Sequence, residues 1–495
     1  MIRPLLPIRL TYLSVILLTL ASCTGGTQTV RISADLMRDK IKGGWVGQTV
    51  GVCYGGPTEF RWDGSWIQDD VPIDYNENIL TKYFNNDDLY MDLAFLAVLD
   101  SLGLDASSEA LALKFANAGF SLWHANQAGR WNILHGIMPP ASGFWKNNPH
   151  ADDIDFQIEA DFIGLLCPAM PATALEYCEK VGHIMNYGDG VYGGVFIASM
   201  YCQAYVEQDI ATVVEKALQS LPRESGYYRC ISDVLAWWRQ YPDDWHRCWF
   251  EVQKKWSQDV GCPECTLQPG NIDAKLNGAY VTIGLLYGGM DFGKTLEIAT
   301  RCGQDSDCNP SNAGGVLGTL IGFEKIPAQW KVGLEQIEDQ KFDYCDYSLK
   351  DVYEVNYRLA GELVARGGGS VGESSWIIQR QRPEAPDEVE IGFEGLTPSV
   401  LIDMPDSSLR DKYSVAFEGR AFVVNGFLDG DKGDARYEVR VDGKLLETIT
   451  LEANYHNRRT PLLWNYDLEA GSHQLEIAKV SGEGNPRRLS LLVYR

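Results

Sequence analysis

The sequence predicts a large, mainly α-helical domain followed by a small β-sandwich domain. Before residue 370, apolar residues recur at helical spacing between short loops rich in Gly and Pro. After residue 388, apolar and polar residues alternate, which is the period of strands with one buried face. We therefore expect three segments beyond the N-terminus: a helical domain over residues 23–370, a Pro-rich linker over 371–387 and a β-sandwich over 388–495.

The first 22 residues have the features of a bacterial lipoprotein signal peptide. Arg3 and Arg9 precede the apolar run 10–20, which is too short to span a membrane permanently. The run ends in Leu-Ala-Ser-Cys, which looks like a lipoprotein cleavage box with Cys23 as the lipidated first residue of the mature protein. We expect a lipid-anchored protein of the bacterial cell envelope, on the periplasmic side or the outer-membrane surface. The alternative is a plain signal peptide with an incidental cysteine.

The composition is that of a globular protein with an acidic surface. Of 495 residues, 45% are hydrophobic, and 43 basic against 67 acidic side chains give a net charge of −24. Because phosphate groups would be repelled, this charge argues against nucleic acid or an anionic membrane surface as a partner. We expect a small-molecule or glycan substrate, and membrane contact through the lipid anchor only.

A first acidic run, Asn-Asn-Asp-Asp at residues 85–88, comes directly before the apolar stretch 89–99. That stretch is apolar on nearly all sides, which predicts a buried helix. The run therefore lies where the positive end of a core helix favours ionised carboxylates.

A second acidic run occupies residues 303–310 and has the same arrangement. Asp305 and Asp307 are followed by Asn309, a good N-cap, and by Pro310, which is favoured at the first helical position. The predicted helix after them carries glycines every four residues, at Gly314, Gly318 and Gly322. Such a flank without side chains lets another backbone lie close against the helix.

Helix capping by Asp87 and Asp307 would explain either acidic run alone. One capping side chain is enough for one helix, but each run places two carboxylates at the N-terminus of a core helix. Carboxylate oxygens are the ligands that hard divalent cations prefer. We therefore expect the two runs to meet around cations, with capping as the alternative.

Three blocks of the sequence together resemble the ADP-ribosylglycohydrolase family, all-helical hydrolases that use a pair of magnesium ions. The family's Thr-Asp-Asp-Thr motif is matched by residues 86–89 and its Asp-x-Asp-Thr motif by residues 305–308. Its opening Gly-rich helix and Pro-x-Glu motif are matched by residues 43–51 and 57–59. The resemblance covers roughly residues 34–365, and it implies an orthogonal helical domain with hydrolase activity.

The resemblance also implies roles for single residues. Hydrolysis at an anomeric carbon needs two acidic groups, and the catalytic candidates are Glu59, Asp88 and Asp307. Glu59 is the carboxylate for proton transfer or for gating a metal, and Asp307 or Asp88 would orient the water. The implied cofactor is one or two Mg²⁺ ions, with Mn²⁺ as the alternative. The implied metal ligands are Asn86, Asp87, Asp88, Asp305, Asp307 and Cys308.

Two positions depart from the family pattern. Asn86 and Cys308 stand where the family has threonine ligands. An asparagine can still offer a carbonyl oxygen, but cysteine is a soft ligand that suits magnesium poorly. The departures predict that one metal site is altered.

The segment 123–150 combines tryptophans with many Pro, Gly and Asn residues, which predicts irregular structure that lines a site. Residues 151–164 follow with acidic and amide side chains inside a helical pattern. Aromatic faces beside amides suit a sugar ring, and the alternative is a loop that covers apolar core. In the family a corresponding region carries polar residues that contact the substrate. The Gly-rich loop at 186–194 would either shape the pocket, as in the family, or simply form a tight turn. The substrate-binding candidates are Trp131, Asn132, Ser142, Trp145, Asp155, Glu159, Asp161 and Asp189.

The cysteines indicate no metal site at classical spacing. There are 12, and Cys262 and Cys265 have the spacing of half a zinc site or of a redox pair. Because no second pair follows at zinc spacing, a structural disulfide or two buried thiols is favoured.

Two different functions fit these observations. The first is a metal-dependent hydrolase that cleaves the glycosidic bond of an ADP-ribosyl or another furanosyl substrate. The second is a non-catalytic envelope module that binds a sugar in the same pocket, and Asn86 and Cys308 motivate it. A weaker third is a zinc protein, motivated by Cys308 and the pair Cys262 and Cys265.

Overall fold

The computed structural model describes residues 28–428 and 433–495. The predicted signal peptide and the predicted lipidation site Cys23 lie outside the described residues and stay predictions. Among the helices of the described residues, none has both the length and the apolar character needed to cross a membrane.

Helices make up most of the described chain before residue 370, which confirms the predicted helical domain. The α-helices are α1 (Ala34–Gly55), α2 (Glu77–Tyr83), α3 (Asp87–Leu102), α4 (Ser108–Asn117), α5 (His124–Leu134), α6 (Asp155–Ile158), α7 (Asp161–Leu166), α8 (Pro171–Gly182), α9 (Asp189–Ala204), α10 (Ile210–Ala217), α11 (Gly226–Gln240), α12 (Trp245–Trp256), α13 (Ala274–Gly288), α14 (Phe292–Arg301), α15 (Cys308–Ile321), α16 (Leu334–Ile337) and α17 (Leu349–Arg366).

Helices α1 and α15 form the centre of this domain and pack backbone to backbone. A Cβ atom on Gly47 of α1 would lie 2.1 Å from the carbonyl oxygen of Gly314, and one on Gly318 of α15 would lie 2.1 Å from that of Gly43. The predicted close approach is therefore confirmed at Gly314 and Gly318. Gly322 has a different role, because it follows the last residue of α15 with φ +86°.

The start of α15 differs from the prediction. The N-cap is Asp307, whose side chain accepts a hydrogen bond from the Cys308 backbone N–H, and the helix begins at Cys308. Asn309 lies inside the first turn, and its side-chain amide donates to Asn277 Oδ1 at 3.0 Å. The prediction of Asn309 as N-cap and Pro310 as first helical residue was wrong. The Asp307 carboxylate, two residues earlier, already accepts from a backbone N–H at the start of the helix.

Helix α3 begins at Asp87, directly after the N-cap Asn86, whose side chain accepts from the Asp88 N–H. Almost all of its residues from Asp88 to Leu99 are buried, which confirms the predicted core helix. Its N-cap is Asn86 and not Asp87, so the capping alternative does not account for the Asp87 carboxylate.

The C-terminal region is a sandwich of two four-stranded antiparallel sheets with strand orders β5-β10-β7-β8 and β4-β11-β6-β9, as predicted. The hairpin β7–β8 turns at Asp442 and Gly443, both at positive φ. The strands are β1 (Thr29–Ser33), β2 (Ser370–Val371), β3 (Ser375–Gln379), β4 (Pro398–Asp403), β5 (Lys412–Gly419), β6 (Ala421–Leu428), β7 (Ala435–Val441), β8 (Lys444–Leu451), β9 (Leu463–Asn465), β10 (Gly471–Gly482) and β11 (Pro486–Tyr494).

The remaining strands form a small sheet of order β1-β3-β2 beside the helical domain. Strand β3 lies within the segment 371–387 that we expected to be a linker, and it pairs with β1 from Ser375 to Gln379. This part of the expected linker is therefore tied to the helical domain by strand pairing.

The β-sandwich lies against the segment 120–150 and the loop 257–273 of the helical domain. Trp145 packs on Phe393 and Tyr466, with ring centroids 5.4 Å from each. The Trp464 indole N–H donates to the Lys146 carbonyl oxygen at 2.8 Å, and the Tyr494 hydroxyl donates to that of Val260 at 2.9 Å. The β-sandwich therefore supports the segments that border the pocket described next.

Candidate active site

The two acidic runs meet at one pocket of about 450 Å³. Asp87 from the first run and Asp305 from the second both line it, together with Glu59. The lining residues are Glu59, Phe60, Asn86, Asp87, Trp123, His124, Asn126, Ile154, Asp155, Ile158, Ile272, Asp305 and Cys308. We call the carboxylates of the two runs, with Glu59, the acidic wall, and the apolar and aromatic lining residues the apolar wall.

Side chains of the two runs also contact each other directly. The Cys308 thiol donates to Asp88 Oδ2 at 3.1 Å, and the Asn86 amide donates to Asp307 Oδ2 at 3.4 Å. These contacts join positions about 220 residues apart in the chain. They bring the N-termini of α3 and α15, the positive ends of two helices, to the same side of the pocket.

The acidic wall fits a hard divalent cation. The Oδ1 atoms of Asp88 and Asp305 are buried and, within the described part of the chain, accept no hydrogen bond. Burial and then the neighbouring Asp305 raise the pKa of Asp307, and burial raises the pKa of Asp305 to about 7. The described lining residues include four carboxylates but neither Lys nor Arg. Oxygen donors without a balancing positive charge are the donor set that Mg²⁺ requires.

The two positions that depart from the family pattern have other contacts. The carbonyl oxygen of Asn86 accepts from the Asp88 backbone N–H, as an N-cap. Burial and the charges of Asp305 and Asp88 raise the pKa of the Cys308 thiol, so it stays protonated and donates to Asp88. In this arrangement the Cys308 thiol serves Asp88 as a hydrogen-bond donor.

Glu59 is solvent-exposed at the mouth of the pocket. Loss of hydration, and then the negative charges of Asp307 and Asp87, raise the pKa of its carboxyl group to about 8. The neighbouring carboxylates favour the protonated form of Glu59, so they raise its pKa even where water reaches the side chain. Glu59 is therefore placed to hold a proton near neutral pH.

Among the predicted substrate-binding residues, the structure places Asp155 at the pocket. Its carboxylate accepts from the backbone N–H groups of Ala125 and Asn126, at 3.3 and 3.0 Å, and so caps α5. Helix α5 spans residues for which the sequence predicted irregular structure, and that prediction was wrong. The cap that permits the helix comes from a residue 30 positions away.

The aromatic and amide candidates of the same segment lie elsewhere. Trp131 packs against the β-sandwich, with Arg459 over its ring at 4.9 Å, and Trp145 lies in the cluster described above. The Asn132 side chain donates to the carbonyl oxygens of Ser142 and Asn147, and Ser142 is fully buried. These four residues therefore hold the domain interface and its loop together.

The remaining three acidic candidates are also engaged within the fold. Glu159 is fully buried and accepts from the Asn126 side chain. Asp189 accepts from the backbone N–H of Tyr227 at 2.9 Å near the start of α11. Asp161 accepts from the Tyr201 hydroxyl and from Asn312 Nδ2, the latter at 2.7 Å, in the core.

The burial of Asp161 predicts a pH dependence of stability. Burial raises its pKa from 3.8 to about 8, so the folded chain binds this proton more tightly than the unfolded chain. The contribution is fully present below about pH 4 and is lost as the pH rises to about 8. We expect the melting temperature to fall between about pH 4 and pH 8, and to fall less in Asp161→Asn. Thermal unfolding followed by circular dichroism measures this.

Asp291→Asn is the control for that measurement, because Asp291 caps α14 through the Lys294 N–H but is exposed. An equally steep pH dependence in Asp161→Asn would show that other groups carry it.

Several pocket residues were not among the predicted site residues: Phe60, Trp123, His124, Asn126, Ile154, Ile158 and Ile272. Trp123, His124 and Asn126 belong to the aromatic segment that the sequence singled out, and Phe60 directly follows Glu59. These four residues could have been predicted from the sequence, because each lies in or directly beside a segment that the sequence had already singled out. The three isoleucines carry no such signal, because an apolar residue at a pocket looks like one in the core.

Comparisons with known proteins identify one family whose model matches more than half of the chain. A family model described as ADP-ribosylglycohydrolase matches residues 33–367. Among solved structures, an ADP-ribosylglycohydrolase-related protein complex matches 66% of this chain and 99% of its own, at 14% identity and a TM-score of 0.41. A family GH115 4-O-methyl-α-glucuronidase with specificity for decorated arabinogalactans matches 66% of this chain and 41% of its own, at 9% identity and a TM-score of 0.19. A search of curated proteins finds no match.

Proposed function

Because the chain belongs to the ADP-ribosylglycohydrolase family, we propose that it is a metal-dependent hydrolase that cleaves the glycosidic bond of an ADP-ribosyl or another furanosyl substrate. The observation that carries the proposal is the meeting of Asp87 and Asp305 at one pocket, although they lie far apart in the sequence. Family membership supports hydrolysis of a glycosidic bond, and the acidic wall supports metal dependence.

The proposed metal ligands are the carboxylates of the two acidic runs. Asp87 and Asp305 offer oxygen atoms at the pocket surface, and Asp88 and Asp307 lie buried behind them. Bound Mg²⁺ would supply positive charge that holds sugar hydroxyls and stabilises negative charge that develops during hydrolysis. Asn86 and Cys308 lie beside this set and hold Asp307 and Asp88 in place by their hydrogen bonds.

Hydrolysis of a glycosidic bond requires one group that protonates the leaving oxygen and one that accepts a proton from water. Glu59 fits the first role, since its raised pKa keeps a proton available at neutral pH and its side chain lies at the open mouth. Asp88 or Asp307 fits the second role, which is to orient the attacking water from the acidic wall.

The opposite wall indicates the class of substrate. Trp123 and Phe60 line the pocket with 48% and 41% of their surface exposed, and isoleucines form its floor. An aromatic face opposite acidic groups suits a sugar ring, which has an apolar face and polar edges. If the predicted lipid anchor at Cys23 is present, the enzyme meets glycosides of the cell envelope.

Metal-dependent turnover tests the proposal. The purified protein, stripped with a chelator, is incubated with a panel of ADP-ribosyl and furanosyl substrates, with and without Mg²⁺. We expect release of the free sugar from at least one substrate when Mg²⁺ is present, and at least about 100-fold less after chelation. Mn²⁺ is the second ion to test. Turnover that is equal with and without metal would contradict the proposal.

The second candidate function is a non-catalytic module that binds a sugar in this pocket. It is favoured by the hydrogen bonds of Asn86 and Cys308, which already engage two positions that serve as metal ligands in the family. The same substrate panel separates the two candidates. Tight binding of a sugar by calorimetry, without product from any substrate, would support the module.

A further inference from the structure

A second group of side chains that could hold a metal ion adjoins the pocket through His124. It consists of His124, His150, Asp153 and Cys262, and one ligand atom from each lies within 4.8 Å of all the others. Three of the four residues are buried, and His124 is partly exposed because it also lines the pocket. The cluster combines nitrogen, oxygen and sulfur donors, whereas the acidic wall offers mainly oxygen.

The cluster is assembled from separate segments of the chain. His124 is the first residue of α5, and Cys262 belongs to the loop between α12 and α13. The segment that contains Asp153 is held against this loop, because the Ile154 N–H donates to the Ile272 carbonyl oxygen at 3.0 Å. The four side chains therefore meet through tertiary structure and not through the spacing of a local motif.

The distances fit a tetrahedral ion. Asp153 Oδ2 lies 2.8 Å from His150 Nδ1 and 3.6 Å from His124 Nδ1, and Cys262 Sγ lies 4.0 Å from His124 Nδ1. Zinc bonds of about 2.0–2.3 Å in a tetrahedron require separations of about 3.3–3.6 Å between ligand atoms. The observed separations lie on both sides of this range, so side-chain shifts of a few tenths of an ångström would close the site.

Two buried polar atoms of the cluster have no hydrogen-bond partner within the described part of the chain, one on His150 and one on Asp153. Within residues 28–428 and 433–495, His150 Nε2 and Asp153 Oδ1 make no hydrogen bond, although both side chains are almost completely buried. Leaving a buried polar atom unpaired costs about 1–3 kcal/mol. Glu264 Oε2 lies 3.3 Å from His150 Nε2. If Nδ1 binds an ion, Nε2 carries the proton and faces this carboxylate, which is how metal-bound imidazoles are usually oriented.

We propose that His124, His150, Asp153 and Cys262 form a closed, structural site for a divalent cation of the zinc class, separate from the acidic wall. Binding breaks the S–H bond of Cys262, releases its proton to solvent and gives the sulfur electron pair to the ion. Each imidazole would bind the ion through one nitrogen lone pair, with the ring proton on its other nitrogen. All four positions of a tetrahedron are then filled by protein, which is typical of structural zinc.

The position of the site indicates what the ion does. The loop that carries Cys262 also contacts the β-sandwich, since the Asn425 amide donates to the Pro263 carbonyl oxygen at 2.8 Å. His124 lies on the other side, in the wall of the pocket. An ion held between them fastens the pocket wall to the loop on which the β-sandwich rests.

Cobalt substitution tests this site without any measurement of turnover. The full chain is purified with a chelator and a reductant and is then titrated with Co²⁺ in the presence of excess Mg²⁺. We expect one equivalent of Co²⁺ to bind and to give a thiolate-to-cobalt charge-transfer band. The band should be absent in Cys262→Ser and present in Cys248→Ser, an equally buried cysteine whose thiol contacts the Val234 carbonyl oxygen.

A second variant keeps the proposal testable if Cys262→Ser does not fold. His124→Gln changes a side chain that is 26% exposed, and we expect it to weaken Zn²⁺ binding at least about 10-fold. Zinc should also raise the melting temperature of the unmodified chain more than that of either variant. Absence of the band in the unmodified chain, or its survival in Cys262→Ser, would overturn the proposal, and the four side chains would then be a hydrogen-bonded cluster only.

Discussion

Replacement of Asp305 by Asn is expected to lower kcat/KM by at least about 10³-fold on any substrate that the protein hydrolyses. The change keeps the size of the side chain but replaces an anionic oxygen with a neutral amide. Asp305 lines the pocket, and its Oδ1 atom has no hydrogen-bond partner within the described chain. The substitution therefore removes charge from the acidic wall more than it removes a contact from the fold.

Two measurements distinguish this result from unfolding. Mg²⁺ binding, followed by calorimetry, should weaken in parallel with activity, while the melting temperature in the presence of a chelator should fall little. Asp189→Asn is the control, because Asp189 is a half-buried carboxylate near the start of a helix that accepts a backbone hydrogen bond but does not line the pocket. Full activity in Asp305→Asn would show that the charge of the acidic wall is not required for hydrolysis.

Replacement of Gly47 by Ala is expected to destabilise the helical domain by about 3 kcal/mol or more. The new methyl group would lie 2.1 Å from the Gly314 carbonyl oxygen and 2.7 Å from its carbon, both backbone atoms of the facing helix. Since α1 and α15 are central helices, neither can shift without moving the pocket that α15 borders. Chemical denaturation of the purified variant measures the loss, and failure to obtain soluble protein is the extreme form of it.

Gly361→Ala is the matched control for this prediction. Gly361 also lies inside a helix, α17, but a methyl group there would meet Trp376 at 3.5 Å, an ordinary contact distance. We expect Gly361→Ala to be neutral or to stabilise by up to about 1 kcal/mol, because alanine favours helix. Equal effects of both variants would mean that helix propensity, and not the close packing of α1 on α15, decides the result.

The types and order of the elements could be predicted because they depend on local patterns. The apolar stretch 89–99 forms a helix, and Asp442 and Gly443 turn a hairpin, since residues close in sequence carry those signals. The glycine spacing of Gly314 and Gly318 even predicted a close-packed partner helix, though not which one. The start of α15 was misjudged by two residues because Asp307 and Asn309 are both good caps.

The helix α5 shows where local patterns fail. The segment 123–134 is rich in residues that favour loops, and its N-terminus is capped by Asp155 from a different part of the chain. Trp131 and Trp145 were expected at the substrate, but they face the β-sandwich. In the sequence, an aromatic residue that binds a ligand cannot be distinguished from one that packs against a second domain. Only the arrangement of the domains shows which role it has.

By itself, the sequence determined the domain classes, the helices that follow the acidic runs and the family, because each of these rests on short motifs or on periodicity. Only the tertiary structure decided that Asp87 and Asp305 share one pocket and that the side chains of His124, His150, Asp153 and Cys262 lie close together. It also showed that Cys308 donates a hydrogen bond to Asp88. The physical reason is that contacts between distant residues depend on how the helices pack against one another, and that packing is set by the whole chain at once.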